Sequence, residues 1–121
     1  MTDALGNPLR IIITPGQSSD YLQAAKLLDG IKDAYVIADR GYDSQEVRDI
    51  IQSKNCTPVI PSRSNARSPA NYDRYIYKER SSIEIFFGNL KQFRRIFSRF
   101  DKSMRNFRSQ IHLAGACLWL R

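Results

Sequence analysis

Residues 34–61 read "AYVIADRGYDSQEVRDIIQSKNCTPVIP", and this stretch decides the fold class. "AYVIAD" is a continuous apolar run, the pattern of a strand buried on both faces, and it stops abruptly at Asp39 and a Gly turn. Asp43 or Ser44 can cap the helix that follows, at about 45–53, whose Val47, Ile50 and Ile51 share one face. "CTPVIP" is a second short strand. Upstream, "PGQSSD" is a loop in which Asp20 can cap a helix over 21–29. Leu22, Ala25 and Leu28, with Ile31 beyond, supply its apolar stripe, and Gly30 closes it. Strands alternating with helices predict an α/β sheet with parallel elements.

At the amino end, "TDALGNPLRIIIT" reads as a hairpin. Ala4 and Leu5 end one strand, Gly6, Asn7 and Pro8 turn, and β-branched residues 9–14 form the other. Residues 62–74, "SRSNARSPANYDR", form a basic loop, followed by two long helices at roughly 75–98 and 104–120. No repeat or low-complexity segment interrupts the chain, so residues 1–121 are read as one domain.

Nineteen Lys and Arg against twelve Asp and Glu give a net charge of +7, and residues 61–121 carry most of the excess. A one-sided basic surface suits a polyanion, most often a nucleic acid, although a solvated basic face has the same composition. With 42% hydrophobic residues the chain can build a core, and no apolar run approaches the roughly 18–20 residues that span a bilayer. The amino terminus lacks a signal-peptide pattern, so a cytoplasmic location is expected. Cys56 and Cys117 show no metal spacing and read as reduced, buried thiols; His112, the sole histidine, reads as structural.

Two carboxylates stand out. Asp39 ends a buried strand, where α/β sheets gather ligand and catalytic groups. In "YKERSSIEIFFGNLK", residues 77–91, helical geometry puts Tyr77, Arg80, Glu84 and Lys91 within an arc of roughly 60°. Ile83, Phe86, Phe87, Leu90, Phe93 and Phe97 occupy the adjoining core-facing arc. Glu84 then lies at the edge of the buried stripe, with Arg80 one turn earlier as a partner. The plain alternative for this row is a set of surface ion pairs worth about 0.3–0.5 kcal/mol each. An Asp at a strand end and a Glu on a later helix are oxygen ligands of the type that hold Mg²⁺. A two-metal site needs roughly three such carboxylates, and only two are well placed here.

Together these blocks resemble the DDE transposases of bacterial insertion sequences. "ADRGYDSQEVRDII" is similar to the block around that family's second catalytic Asp, which falls on Asp39. "YKERSSIEIFFGNLK" matches its Y-(2)-R-(3)-E-(6)-K signature at Tyr77, Arg80, Glu84 and Lys91. "PVIPSRSNAR" and "KQFRRIFSRFDKSMRNFRSQIHLAGACLWL" extend the likeness over almost the whole chain. The resemblance implies a ribonuclease-H-like mixed sheet flanked by helices and metal-dependent cleavage and strand transfer at insertion-sequence ends. It implies two Mg²⁺ (or Mn²⁺) ions in the complete site, with Asp39 and Glu84 as catalytic metal ligands. Tyr77, Arg80 and Lys91 would meet the DNA or orient Glu84, and Arg63, Arg67, Arg94 and Arg95 are the basic residues expected along the DNA backbone. The partners implied are double-stranded DNA at inverted-repeat ends and other transposase copies in a homo-oligomer.

One departure qualifies the resemblance. The family's first catalytic Asp ends the first, central strand of the sheet, upstream of the block that "DALGNPL" matches. Asp3 belongs to the second strand and is not a substitute. This chain is thus expected to be a C-terminal portion, poorly folding and inactive without an upstream segment or a full-length transposase. The competing reading is a non-catalytic DNA-binding remnant or regulator of transposition.

Overall fold

The computed structural model describes residues 1–15, 17–93 and 103–120. It divides into two compact units, one of residues 14–80 and one of residues 1–13 with 81–121.

The 14–80 unit is built on a strand–helix–strand frame. Strand β1 (Tyr35–Ile37) runs parallel to β2 (Thr57–Val59), with Tyr35, Val36 and Ile37 opposite Thr57, Pro58 and Val59. Thr57 N–H donates to Ala34 O at 2.9 Å and Ala38 N–H to Val59 O at 3.3 Å, extending the ladder at both ends. Thr57 and Val59 therefore face β1, and the intervening Pro58, which has no N–H, faces away. That placement marks β2 as an edge strand. By the same alternation, the peptide groups of Tyr35 and Ile37 point away from β2, and among the described residues no strand pairs with them.

Helix α2 (Gln45–Ser53) begins where the capping pattern places it, with Ser44 Oγ accepting from Val47 N–H at 3.1 Å. Its Val47 and Ile51 are buried, and they join Cys56, Val59 and Ile60 in the core of this unit. The earlier helix is shorter than its sequence suggests: a 3₁₀ turn (Asp20–Gln23) leads into helix α1 (Ala24–Leu27). Ser19, not Asp20, occupies the cap position, and no side-chain cap bond forms there. The 3₁₀ entry also turns the stripe, since each residue there advances about 120°. Ala24 and Leu28 are consequently buried while Leu22 is exposed. Gly30 closes the helix at φ +75, a conformation glycine adopts without a Cβ penalty. The expectation that "AYVIAD" is buried on both faces fails. Tyr35 is 61% exposed and Val36 and Ile37 are half-buried, as befits a strand with one neighbour.

In the other unit the amino-terminal turn forms but the hairpin does not. Asp3 Oδ1 accepts from Leu5 N–H and Asn7 N–H, both at 2.9 Å, Gly6 sits at φ +83, and a single antiparallel bridge joins Thr2 to Pro8. Residues 9–14, β-branched from Ile11 onward, pair with no strand among the described residues, so propensity alone does not make them one. Helices α4 (Ser81–Leu90) and α5 (Met104–Trp119) pack through Phe86, Leu90 and Ala114, with Ile11, Ile83, Phe93 and Leu118 around them. Trp119 Nε1–H donates to Pro8 O at 2.8 Å and ties α5 to the amino-terminal turn. No helix among the described residues is long and apolar enough to cross a membrane. The α/β class holds.

Candidate active site

Asp39 follows β1 directly and is exposed. Its Oδ1 accepts from Gly41 N–H at 2.8 Å, which starts a 3₁₀ turn over Arg40–Tyr42. A Cβ on Gly41 would lie 2.9 Å from that same oxygen, so the absence of a side chain at 41 is what lets the carboxylate fold back over the turn. Tyr42, three residues on, is half-buried, and its phenol is pushed up by burial and then by the nearby charges of Asp20 and Asp39. At the carboxyl end of β1 the Asp39 carboxylate is thus bonded to the turn that follows it, with its charge felt at Tyr42.

Asp43 carries more structure than a helix cap. Oδ1 pairs with Arg48 Nη2 at 2.9 Å and Oδ2 accepts from Arg63 N–H at 2.8 Å. Arg48 Nη2 also donates to Ile60 O at 2.9 Å, from a residue that is 8% exposed. Burial alone would raise the Asp43 carboxyl, but the bonds from Arg48 and from Arg63 N–H, with the charges of both arginines, hold it below its ordinary value. Asp43, Arg48 and Gly41 were not singled out by the sequence pattern as site residues. The available signal was Arg48 itself, a charged residue between Val47 and Ile51 on the buried face, which needs a partner close in sequence.

Arg63 and Arg67 are exposed on the loop that follows β2. That loop is bound to itself, with Ala66 N–H donating to Arg63 O at 3.0 Å and Ala70 N–H to Ser62 Oγ at 2.7 Å. Asp73 ends it by capping a short helix, α3 (Arg74–Tyr77), through bonds to Tyr75 N–H and Ile76 N–H.

The second signature block is not one continuous α-helix. α3 passes into a 3₁₀ turn over Lys78–Arg80, and α4 starts at Ser81. Three residues at about 120° each shift the row by roughly 60° from the continuous-helix arc, so Tyr77 and Arg80 do not share the simple register with Glu84 and Lys91. Tyr77 and Arg80 belong to the 14–80 unit, where the Arg80 guanidinium carbon lies 5.8 Å from the Tyr77 ring centre, a cation–π distance. Glu84 is exposed in the first turn of α4, where the helix dipole favours a carboxylate, and Lys91 is exposed just beyond its end. Phe87 is 54% exposed instead of core-facing. Arg94, Arg95 and Phe97 lie outside the described residues.

Two quieter expectations also change. Cys117 is exposed, while Cys56 is buried as expected. His112 is exposed on α5 and accepts from Arg108 Nε at 3.4 Å. Asp39 and Glu84 offer the hard oxygen donors that Mg²⁺ takes, but among the described residues no three His, Cys, Asp or Glu side chains gather closely enough to hold an ion.

Comparison with known proteins decides the family. The family model described as "Transposase DDE domain" matches residues 1–120. The chain belongs to the DDE-domain transposases. A candidate transposase for insertion sequence element IS6501 of Brucella ovis is 43% identical over 123 residues, with 100% of this chain and 95% of that protein covered. A candidate transposase for IS402 of Burkholderia cepacia is 31% identical, covering 98% of this chain but 59% of that protein. A transposase for IS1106 of Neisseria meningitidis serogroup B is 29% identical, covering 97% and 43%. No solved structure matches.

Proposed function

We propose that this chain provides two of the catalytic carboxylates of an insertion-sequence transposase, Asp39 and Glu84, in a ribonuclease-H-like domain that cuts DNA at the element's ends and joins them to a target. The observation that carries this reading is Asp39: an exposed carboxylate at the carboxyl end of a parallel strand, folded back onto a glycine turn where a side chain would push it aside. Its companion is Glu84 within the family's Y-(2)-R-(3)-E-(6)-K spacing.

In this reading Asp39 and Glu84 would each supply carboxylate oxygens to Mg²⁺ or Mn²⁺. The bound metal supplies charge neutralisation at the attacking and leaving oxygens of phosphoryl transfer. Lys91 and Arg80 hold DNA phosphates as fixed cations, Tyr77 supports Arg80 by lying under its guanidinium, and Arg63 and Arg67 follow the backbone from the loop after β2. Arg94 and Arg95 are proposed as further DNA-contacting cations from their charge alone. The reading assigns two of roughly three carboxylates to Asp39 and Glu84, and a third acidic residue would complete the set. Among the described residues no strand pairs with the Tyr35 and Ile37 side of β1, and its peptide groups could take a strand from another transposase segment. The protein acts on double-stranded DNA in the bacterial cytoplasm, as a homo-oligomer that brings two element ends together.

The test is metal-dependent strand cleavage of duplex DNA carrying element ends, by the chain together with the completing segment. Glu84→Gln should abolish cleavage and leave duplex binding within about twofold, because the substitution removes a ligand and adds no clash. Cleavage that survives the change sinks the proposal.

A second reading, a non-catalytic DNA-binding regulator of transposition, draws on the absence of any three-residue metal cluster among the described residues. A regulator binds the same duplex through the same cations but has no metal-dependent step for Glu84→Gln to remove.

A further inference from the structure

The Asp43–Arg48 pair has no part in the reading above, yet it is the most enclosed charged group described in the 14–80 unit. Its side chains are only 10% (Arg48) and 14% (Asp43) exposed. Ser44 already caps α2, so the helix does not need Asp43 for that purpose. Taking two charges out of water is costly, and such a pair is weak evidence of stability by itself. What the pair does is join three segments. Asp43 stands one residue beyond the turn that holds Asp39, Arg48 is on α2, and together they grip Ile60 O and Arg63 N–H where β2 gives way to the basic loop. The bonds of Ala66 to Arg63 O and of Ala70 to Ser62 Oγ carry that anchorage into the loop.

We propose that Asp43 is a positioning residue: through Arg48 and the Arg63 amide it locks the basic loop to the Asp39 turn, so that the Arg63 side chain meets a DNA phosphate at a fixed offset from the Asp39 carboxylate. This rests on the DNA-processing reading and assigns the alignment of phosphate and carboxylate to a brace outside both. Arg48 is on this account an internal strut and not one of the cations that touch DNA.

The test is a double-mutant cycle read in DNA binding. The probe is a duplex oligonucleotide titrated over a range of salt, with the full 121-residue chain. Arg63→Ala alone should lower the slope of log affinity against log salt by about one, the loss of one phosphate contact. In a chain carrying Asp43→Asn with Arg48→Met, which removes both enclosed charges together, Arg63→Ala should change the slope by less than about 0.3, because the untethered arginine no longer contributes. An equal loss in both backgrounds overturns the proposal.

Hydrogen exchange on the unsubstituted chain gives a second measurement that needs no variant. The Arg63 amide should exchange slowly for a loop position, and exchange as fast as the amides of Ser64 and Asn65 overturns the proposal. If Arg63→Ala is silent in the natural chain while Lys91→Ala weakens duplex binding, this inference fails and the DNA reading stands. If the chain does not bind duplex DNA at all, both fail.

Discussion

A methyl group on Gly41 would meet the Asp39 carboxylate oxygen at 2.9 Å, and the two have to separate. The group that must give is the end of a flexible side chain, so Gly41→Ala should change thermal stability little while moving the carboxylate. In a completed transposase the cleavage rate should fall by about 10- to 100-fold, the usual cost of disturbing what orients a metal ligand. Asp43 makes a different prediction. Its carboxyl is held below its unfolded value, so the ionised form stabilises the fold above about pH 4 and this contribution fades as pH falls through the folded-state value. Urea midpoints of the natural chain and of Asp43→Asn should differ most near neutrality and converge in acid. A constant gap across that range would remove Asp43 as the titrating group. At this scale the placement of Asp39 after a strand and of Glu84 on a helix was legible in the sequence, because both follow from local patterns. The Asp43 brace was not, because Arg63 lies 20 positions from Asp43 and Ile60 lies 12 from Arg48, and they come together only where β2 pairs with β1.

Helix α2 is the element on which the frame depends. Ile51 is fully buried on this helix, which packs against β2 and α1, and Ile51→Ala should cost about 2–5 kcal/mol. Small domains have about 5–15 kcal/mol in total, so a marked loss of cooperative melting is expected. Ser44→Ala removes one cap bond and should cost about 1 kcal/mol, seen as a lower urea midpoint at unchanged slope. The limits of α2 could be read directly because a capping Ser precedes a clean apolar face. Helix α1 and the 77–91 segment were misread for one shared reason. A 3₁₀ turn inserted before or within a helix keeps the composition and rotates the register, and spacing rules that assume 100° per residue cannot see it. Residues 9–14 failed for another reason: a β-branched run becomes a strand only where a neighbour takes up its hydrogen bonds.

For the molecule as a whole, the strand–helix–strand order gave the α/β class, and the parallel pairing of β1 with β2 agrees with it. That the described sheet has two strands was not legible from composition, since residues 9–14 have strand propensity and yet pair with none among the described residues. Family membership rests on matches across residues 1–120, but the chain spans 59% and 43% of two of its three named relatives. The activity of the whole transposase is therefore a proposal whose weight falls on two residues. The most direct measurement is Mg²⁺-dependent cleavage of element-end DNA by the completed protein, comparing the natural chain with Asp39→Asn and with Glu84→Gln. The expected result is that either substitution alone abolishes cleavage while duplex binding persists. Cleavage that survives either one would contradict the assignment of these two carboxylates to the site.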